Sequence, residues 1–260
     1  MTSRFGSKVV VISGATSGIG EATAKRLASD GAKVACLGRN RERGSALVKK
    51  IVDQEGESIF VECDVKDKQQ VEESITLVAS RFGKIDVLFN SAGVIPVRMC
   101  EDLTEDEWDD CIETNLKSIF LTSKCALPWL RKTKGVIINI SSELGIRGAP
   151  YYTAYCASKA GVILFTKALA LECASSGVRV NCICPGPTDT PMISTEFEII
   201  ARRDNSTPEE VRKLLTDTYV PLHRLASPDE IAKLVAYLAS DDASFATGAI
   251  WSLDGGITCN

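Results

Sequence analysis

Short apolar runs alternate with stretches of helical periodicity along the whole chain. The runs fall near 8–13, 33–38, 58–63, 85–90, 135–141, 178–184 and 249–253. Each is brief and rich in Val and Ile, and reads as a strand covered on both faces. Between the first two, Ala24, Leu27 and Ala28 recur at helical spacing, and Gly31 is a good stop. Thr104, Thr207 and Ser227 each precede a glutamate by three positions, the signature of a capping box. This alternation implies parallel strands joined by right-handed crossovers. The expected fold class is α/β, a doubly wound, seven-stranded parallel sheet in three layers. No break in composition marks a linker, so residues 1–260 read as a single domain. One interval, from Pro185 to about Ser206, reads as irregular. It leaves a strand end on the ligand-binding side, so 187–215 is expected to form a substrate lid.

Composition narrows the function. The chain has 260 residues and a net charge of -4, with no basic stripe, which argues against a nucleic-acid partner. The longest apolar runs, such as Val9-Val10-Val11-Ile12, are strand-length and fall short of a membrane span. Met1 runs through Thr2 and Ser3 directly towards the first strand, so no signal peptide is expected. The ten cysteines are scattered singly, which points to reduced thiols used as small apolar residues in a cytoplasmic protein. With one histidine, His223, and no thiolate pair at ligand spacing, no metal site is expected.

The first run ends in Gly14-Ala15-Thr16-Ser17-Gly18-Ile19-Gly20 and then a helix. Glycines at 14, 18 and 20 permit a tight turn and close approach to a pyrophosphate. The helix start adds free N–H groups and a positive dipole end. The tip of the second strand, where an acid would grip the ribose hydroxyl of NAD, carries Gly38 and Arg39 instead. An arginine there favours the 2′-phosphate of NADP, with NAD the alternative. Further on, Tyr155 and Lys159 stand four residues apart, with Ser142 thirteen residues before the tyrosine. On a helix they share a face, and the ammonium is expected to lower the phenol pKa towards the working range. Such a phenol exchanges a proton with a carbonyl oxygen.

Together these segments resemble the short-chain dehydrogenase/reductase family in its single-domain form, over nearly the whole chain. Ser13–Gly20 is similar to its glycine motif, with Ser13 in place of threonine. Asn90-Ser91-Ala92-Gly93 is similar to its N-N-A-G, departing at Ser91. The resemblance implies a catalytic tetrad of Asn115, Ser142, Tyr155 and Lys159. It implies cofactor contacts from Gly14, Thr16, Ser17, Gly18, Ile19, Gly20, Arg39, Asp64, Val65, Asn90, Ala92 and Gly93. Tyr155, Lys159, Pro185, Gly186, Thr188 and Thr190 would complete the nicotinamide end, and Asp254-Gly255-Gly256 matches the family's ending. In that scheme Ser142 steadies the substrate oxygen, Lys159 holds the ribose hydroxyls and Asn115 holds a relay water.

The implied activity is hydride transfer between a nicotinamide cofactor and a secondary alcohol or ketone. The closing region resembles 3-oxoacyl-carrier-protein reductases, many of them tetramers, so a homo-oligomer is expected. Glu143 either contacts substrate or pairs with Arg147. Ile95, Pro96, Met99, Leu144, Ile146, Tyr152, Met192 and Phe197 are expected around a partly apolar small-molecule pocket. A catalytically silent nucleotide-binding regulator and an epimerase-type use of the same site are the alternatives.

Overall fold

Each strand of the computed structural model, which describes residues 4–259, ends within a few residues of where the apolar runs end. Residues 1–3, part of the reading of the N-terminus, and residue 260 lie outside the described residues. The strands are β1 Val9–Ser13, β2 Lys33–Gly38, β3 Glu57–Glu62, β4 Val87–Asn90, β5 Val136–Ile140, β6 Arg179–Pro185 and β7 Ile250–Leu253. All pair in parallel, in the order β3-β2-β1-β4-β5-β6-β7. All five residues of β1 are buried because helices cover both faces of the sheet. Val10 and Ile12 enter one core, Val9 and Val11 the other, as the two-residue period of a strand requires.

The helices are α1 Gly18–Ser29, α2 Arg41–Val52, α3 Lys68–Phe82, α4 Glu105–Ile112, α5 Ser118–Thr133, α6 Thr153–Cys173, α7 Pro191–Asp204, α8 Pro208–Tyr219 and α9 Pro228–Ala239. The three expected capping boxes start α4, α8 and α9. Between α4 and α5 the chain widens into a π turn at Glu113–Lys117.

The irregular interval is corrected by the structure: most of 185–206 is the helix α7. Thr190 and Pro191 provide its start. Ile193, Phe197 and Ala201, at i, i+4 and i+8, pack against Val211 and Leu225 in a small core of their own. Among the described residues, the segment Thr153–Ser176 containing α6 is long and apolar enough to cross a membrane. Its buried face carries Tyr155, Ser158, Lys159 and Thr166 and packs on β6, so it serves as a core helix.

Candidate active site

Strand order switches direction between β1 and β4, whose last paired residues are Ser13 and Asn90. A crevice at the carboxyl ends beside such a switch is where open parallel sheets take ligands. Here it is a cavity of about 900 Å³.

Gly14, Thr16, Ser17, Gly18 and Ile19 form one wall. Gly14 has φ +68°, and a Cβ there would stand 2.7 Å from the Ala92 backbone. Gly20 lies behind this wall, where a Cβ would meet the Gly14 carbonyl oxygen at 2.2 Å, so it lets α1 close on the turn. Ser17 caps α1 without a side-chain hydrogen bond, which leaves the first helical N–H groups without a side-chain acceptor. At one end of the cavity lie Arg39, Arg43, Asp64 and Val65. Arg39 Nη1 is 4.0 Å from Asp64 Oδ2, and its side chain is 65% exposed. Ala92, Gly93, Pro185, Gly186, Thr188 and Thr190 line the middle. A Cβ on Gly186 would stand 2.7 Å from the Asp254 Cα, so the chain's Asp254-Gly255-Gly256 segment braces this turn.

Tyr155, Ser142 and Lys159 meet on the same cavity. Lys159 Nζ donates to the Ile140 carbonyl at 3.2 Å and stands 5.5 Å from the Tyr155 ring centroid. An ammonium has three donors, so two are left for a ligand. A glycine turn at a helix start, an arginine at the second strand tip and a lysine with spare donors fit a nicotinamide dinucleotide.

Besides Gly20, two expected site residues stand back from the cavity. Asn90 is buried, donates to Asn139 Oδ1 at 2.9 Å and accepts from Thr122 Oγ1 at 2.7 Å. Its amide ties neighbouring strands to α5 rather than reaching a ligand. Asn115 sits in the π turn, wholly buried. Its Oδ1 accepts from Val94 N at 2.8 Å, and its Nδ2 donates to the Val94 carbonyl at 2.9 Å and Ser158 Oγ at 3.0 Å. That side chain is spent on holding the 94 loop against α6.

The expectation of an acidified phenol is also corrected. Burial pushes the Tyr155 phenol well above its ordinary range; the Ser142 hydroxyl opposes this, and the Glu196 and Glu143 carboxylates add to it. Lys159 is itself desolvated, its pKa lowered to about 8, and it keeps its charge below that pH.

At the substrate end Glu143, 6% exposed, lies against Arg147, Nε to Oε2 at 2.6 Å. Both line the cavity, and the pairing with Arg147 is the reading the structure bears out. Ile95, Leu144, Tyr152 and Met192 line it as expected. Phe197 instead fills the core between α7 and α8, and Met99 and Ile146 are exposed. Glu196, which sequence reasoning missed, reaches the cavity from α7, and Tyr152 donates to its Oε1 at 2.5 Å. The signal was the spacing of Met192, Glu196, Ile200 and Arg203 beside the apolar stripe, hidden by reading a loop.

Fold, switch-point cavity and glycine turn define a dinucleotide-binding α/β protein. The chain belongs to the short-chain dehydrogenase/reductase family: residues 14–258 match its model described as enoyl-(acyl carrier protein) reductase. It is 37% identical to a 3beta-hydroxysteroid dehydrogenase of Mediterraneibacter gnavus, over 98% of this chain and 96% of that protein. It is 38% identical to a 3-oxoacyl-(acyl-carrier-protein) reductase of Thermotoga maritima, over 98% of this chain and 99% of the relative. Among solved structures it is similar to a variant of actinorhodin polyketide ketoreductase with NADPH. That match has a TM-score of 0.93 and 35% identity, covering 96% of this chain and 97% of the other.

Proposed function

We propose that this protein is an NAD(P)-dependent oxidoreductase interconverting a secondary alcohol and a ketone, with Tyr155 as general acid and base. The observation that carries this reading is the convergence of Tyr155, Ser142 and Lys159 on one cavity with the glycine turn. A bound nicotinamide supplies or takes the hydride. Tyr155 carries its proton, the form needed to protonate a carbonyl oxygen during reduction. Ser142 Oγ, fixed by the Leu144 N–H at 3.1 Å, is placed to steady the developing alkoxide. Lys159 offers its two remaining donors to the ribose hydroxyls. Asn115 acts as a positioning residue, through Val94 and Ser158.

Arg39 beside the cavity favours NADP over NAD. Residues 1–260 work as one domain, with 187–215, which holds α7 and the first part of α8, as its substrate lid. Unpaired thiols throughout suit a cytoplasmic setting. Exposed Phe120, Leu164 and Leu171 on α5 and α6 suit a homo-oligomer, with the tetramer as the family's precedent. A 3-oxoacyl thioester is the second substrate reading, favoured by the Thermotoga relative.

The test is oxidation of NADPH and of NADH against a panel of cyclic ketones, ketosteroids and 3-oxoacyl thioesters. Turnover of at least one member is expected, with NADPH the better cofactor. Cofactor binding without turnover of any carbonyl or secondary alcohol would make the protein a silent regulator instead.

A further inference from the structure

Resting on the oxidoreductase reading, we infer that Glu196, held by Tyr152, is a second substrate grip that selects diols and hydroxyketones over substrates with a single oxygen. Tyr152 caps α6 and stands three residues before Tyr155, so both phenols open from the same helical turn onto the cavity. Tyr152 donates to Glu196 Oε1 at 2.5 Å. Among the described residues this is the only hydrogen bond Glu196 makes, and it has no cationic partner. Its neighbours' charges are committed elsewhere. Arg147 pairs with Glu143 at 2.6 Å. Arg203 binds Asp204 through Nε at 2.6 Å and Nη2 at 2.8 Å, and lies 3.9 Å over the Tyr151 ring.

Glu196 Oε2 therefore brings an unused acceptor to an otherwise apolar stretch of wall made by Met192, Ile200 and Leu215. Glu196 is half-buried, and a substrate hydroxyl entering the cavity can donate to this free oxygen. An ammonium is a poorer match. It would have to shed a full hydration shell on entering the cavity, a larger cost than a neutral hydroxyl bears. Burial and the neighbouring Glu143 charge raise the Glu196 carboxyl pKa, and the Tyr152 hydrogen bond opposes them. A neutral hydroxyl is the donor such a site takes at least cost.

The experiment compares cyclohexane-1,2-diol, cyclohexanol and 2-aminocyclohexanol as substrates with NADP. The wild type is expected to favour the diol over cyclohexanol by roughly tenfold or more in kcat/KM, the scale of a hydrogen bond to a charged group. In Glu196→Leu that ratio should fall to near one, through KM for the diol rather than kcat. Glu196→Gln, nearly isosteric, should shift the ratio in the same direction and stands in if the leucine variant does not fold. A ratio that neither variant moves overturns the grip. So does a wild type that prefers the amino alcohol. Turnover of all three without diol preference sinks this inference alone; nucleotide binding without turnover of any alcohol or ketone sinks the oxidoreductase reading and this inference with it.

Discussion

The Lys159 ammonium lies 5.5 Å from the centroid of the Tyr155 ring, both on the buried face of α6 and one turn apart. That relationship makes the phenol hydroxyl separable from the rest of the site. Tyr155→Phe keeps the ring in its packing against Cys111, Leu144 and Ala154 and removes the exchangeable proton. Turnover should fall about 10²–10⁴-fold, the usual contribution of a general acid. Nucleotide affinity, read by quenching of intrinsic fluorescence, should stay within a few-fold of wild type. Turnover within tenfold of wild type would remove Tyr155 from the chemistry.

The glycine turn gives a matched pair of variants. At Gly14 an added methyl would collide with the Ala92 backbone at 2.7 Å, at a φ of +68° that side chains rarely adopt. Gly14→Ala should lower stability by about 1–3 kcal/mol and weaken nucleotide binding, because the strained turn moves away from the phosphates. At Gly148, an exposed cavity neighbour in sequence, a Cβ meets nothing within 4 Å. Gly148→Ala should be neutral in both measurements. Thermal melts with and without NADPH decide it, and equal behaviour of the two variants would discard the cradle.

Period and turn chemistry made most of this fold legible in advance. Val9–Ser13 reads as a doubly covered strand, and it is buried at every position. The glycines at 14, 18 and 20 read as a tight turn, and Gly14 and Gly18 sit at positive φ in it. What the linear chain hides is what depends on distant neighbours. Residues 191–204 looked irregular because Pro191 reads as a breaker, whereas after Thr190 it starts a helix whose stripe is buried by Val211 and Leu225. Asn90 belongs to a motif that suggests a ligand contact, yet its amide is consumed by Asn139 and Thr122, residues 49 and 32 positions away. The direction of the Tyr155 shift escaped because burial, with the Glu196 and Glu143 carboxylates brought in from distant segments, outweighs the Ser142 hydrogen bond.

Cofactor choice should respond to the second strand tip. Arg39 is 65% exposed, with its nearest carboxylate, Asp64, at 4.0 Å. A guanidinium so loosely held is free to grip a phosphate. Arg39→Ala should lower kcat/KM for NADPH by about tenfold while changing that for NADH less than threefold. Equal losses with both nucleotides would mean that Arg39 supports the site without reading the 2′ position.

Lys159 should leave a signature in the pH dependence of stability. Its pKa falls from the ordinary lysine value of 10.5 to about 8 because burial disfavours the ammonium. Below pH 8 both folded and unfolded chains carry the proton, and the folded protein bears the full cost of burying it. Between about 8 and 10.5 the unfolded chain binds more protons than the folded one, so stability rises with pH. Lys159→Met removes that linkage. The buried thiols near it, Cys111, Cys182 and Cys184, feel its charge, so the comparison reads the lysine together with its coupling to them. Wild type should therefore gain on the variant by up to about 3 kcal/mol as pH rises through this window. Urea unfolding of the two proteins at pH 7, 8, 9 and 10 measures the difference. A flat difference, or one that moves against the wild type, would show that Lys159 keeps an ordinary pKa and that the site is better solvated than its burial implies.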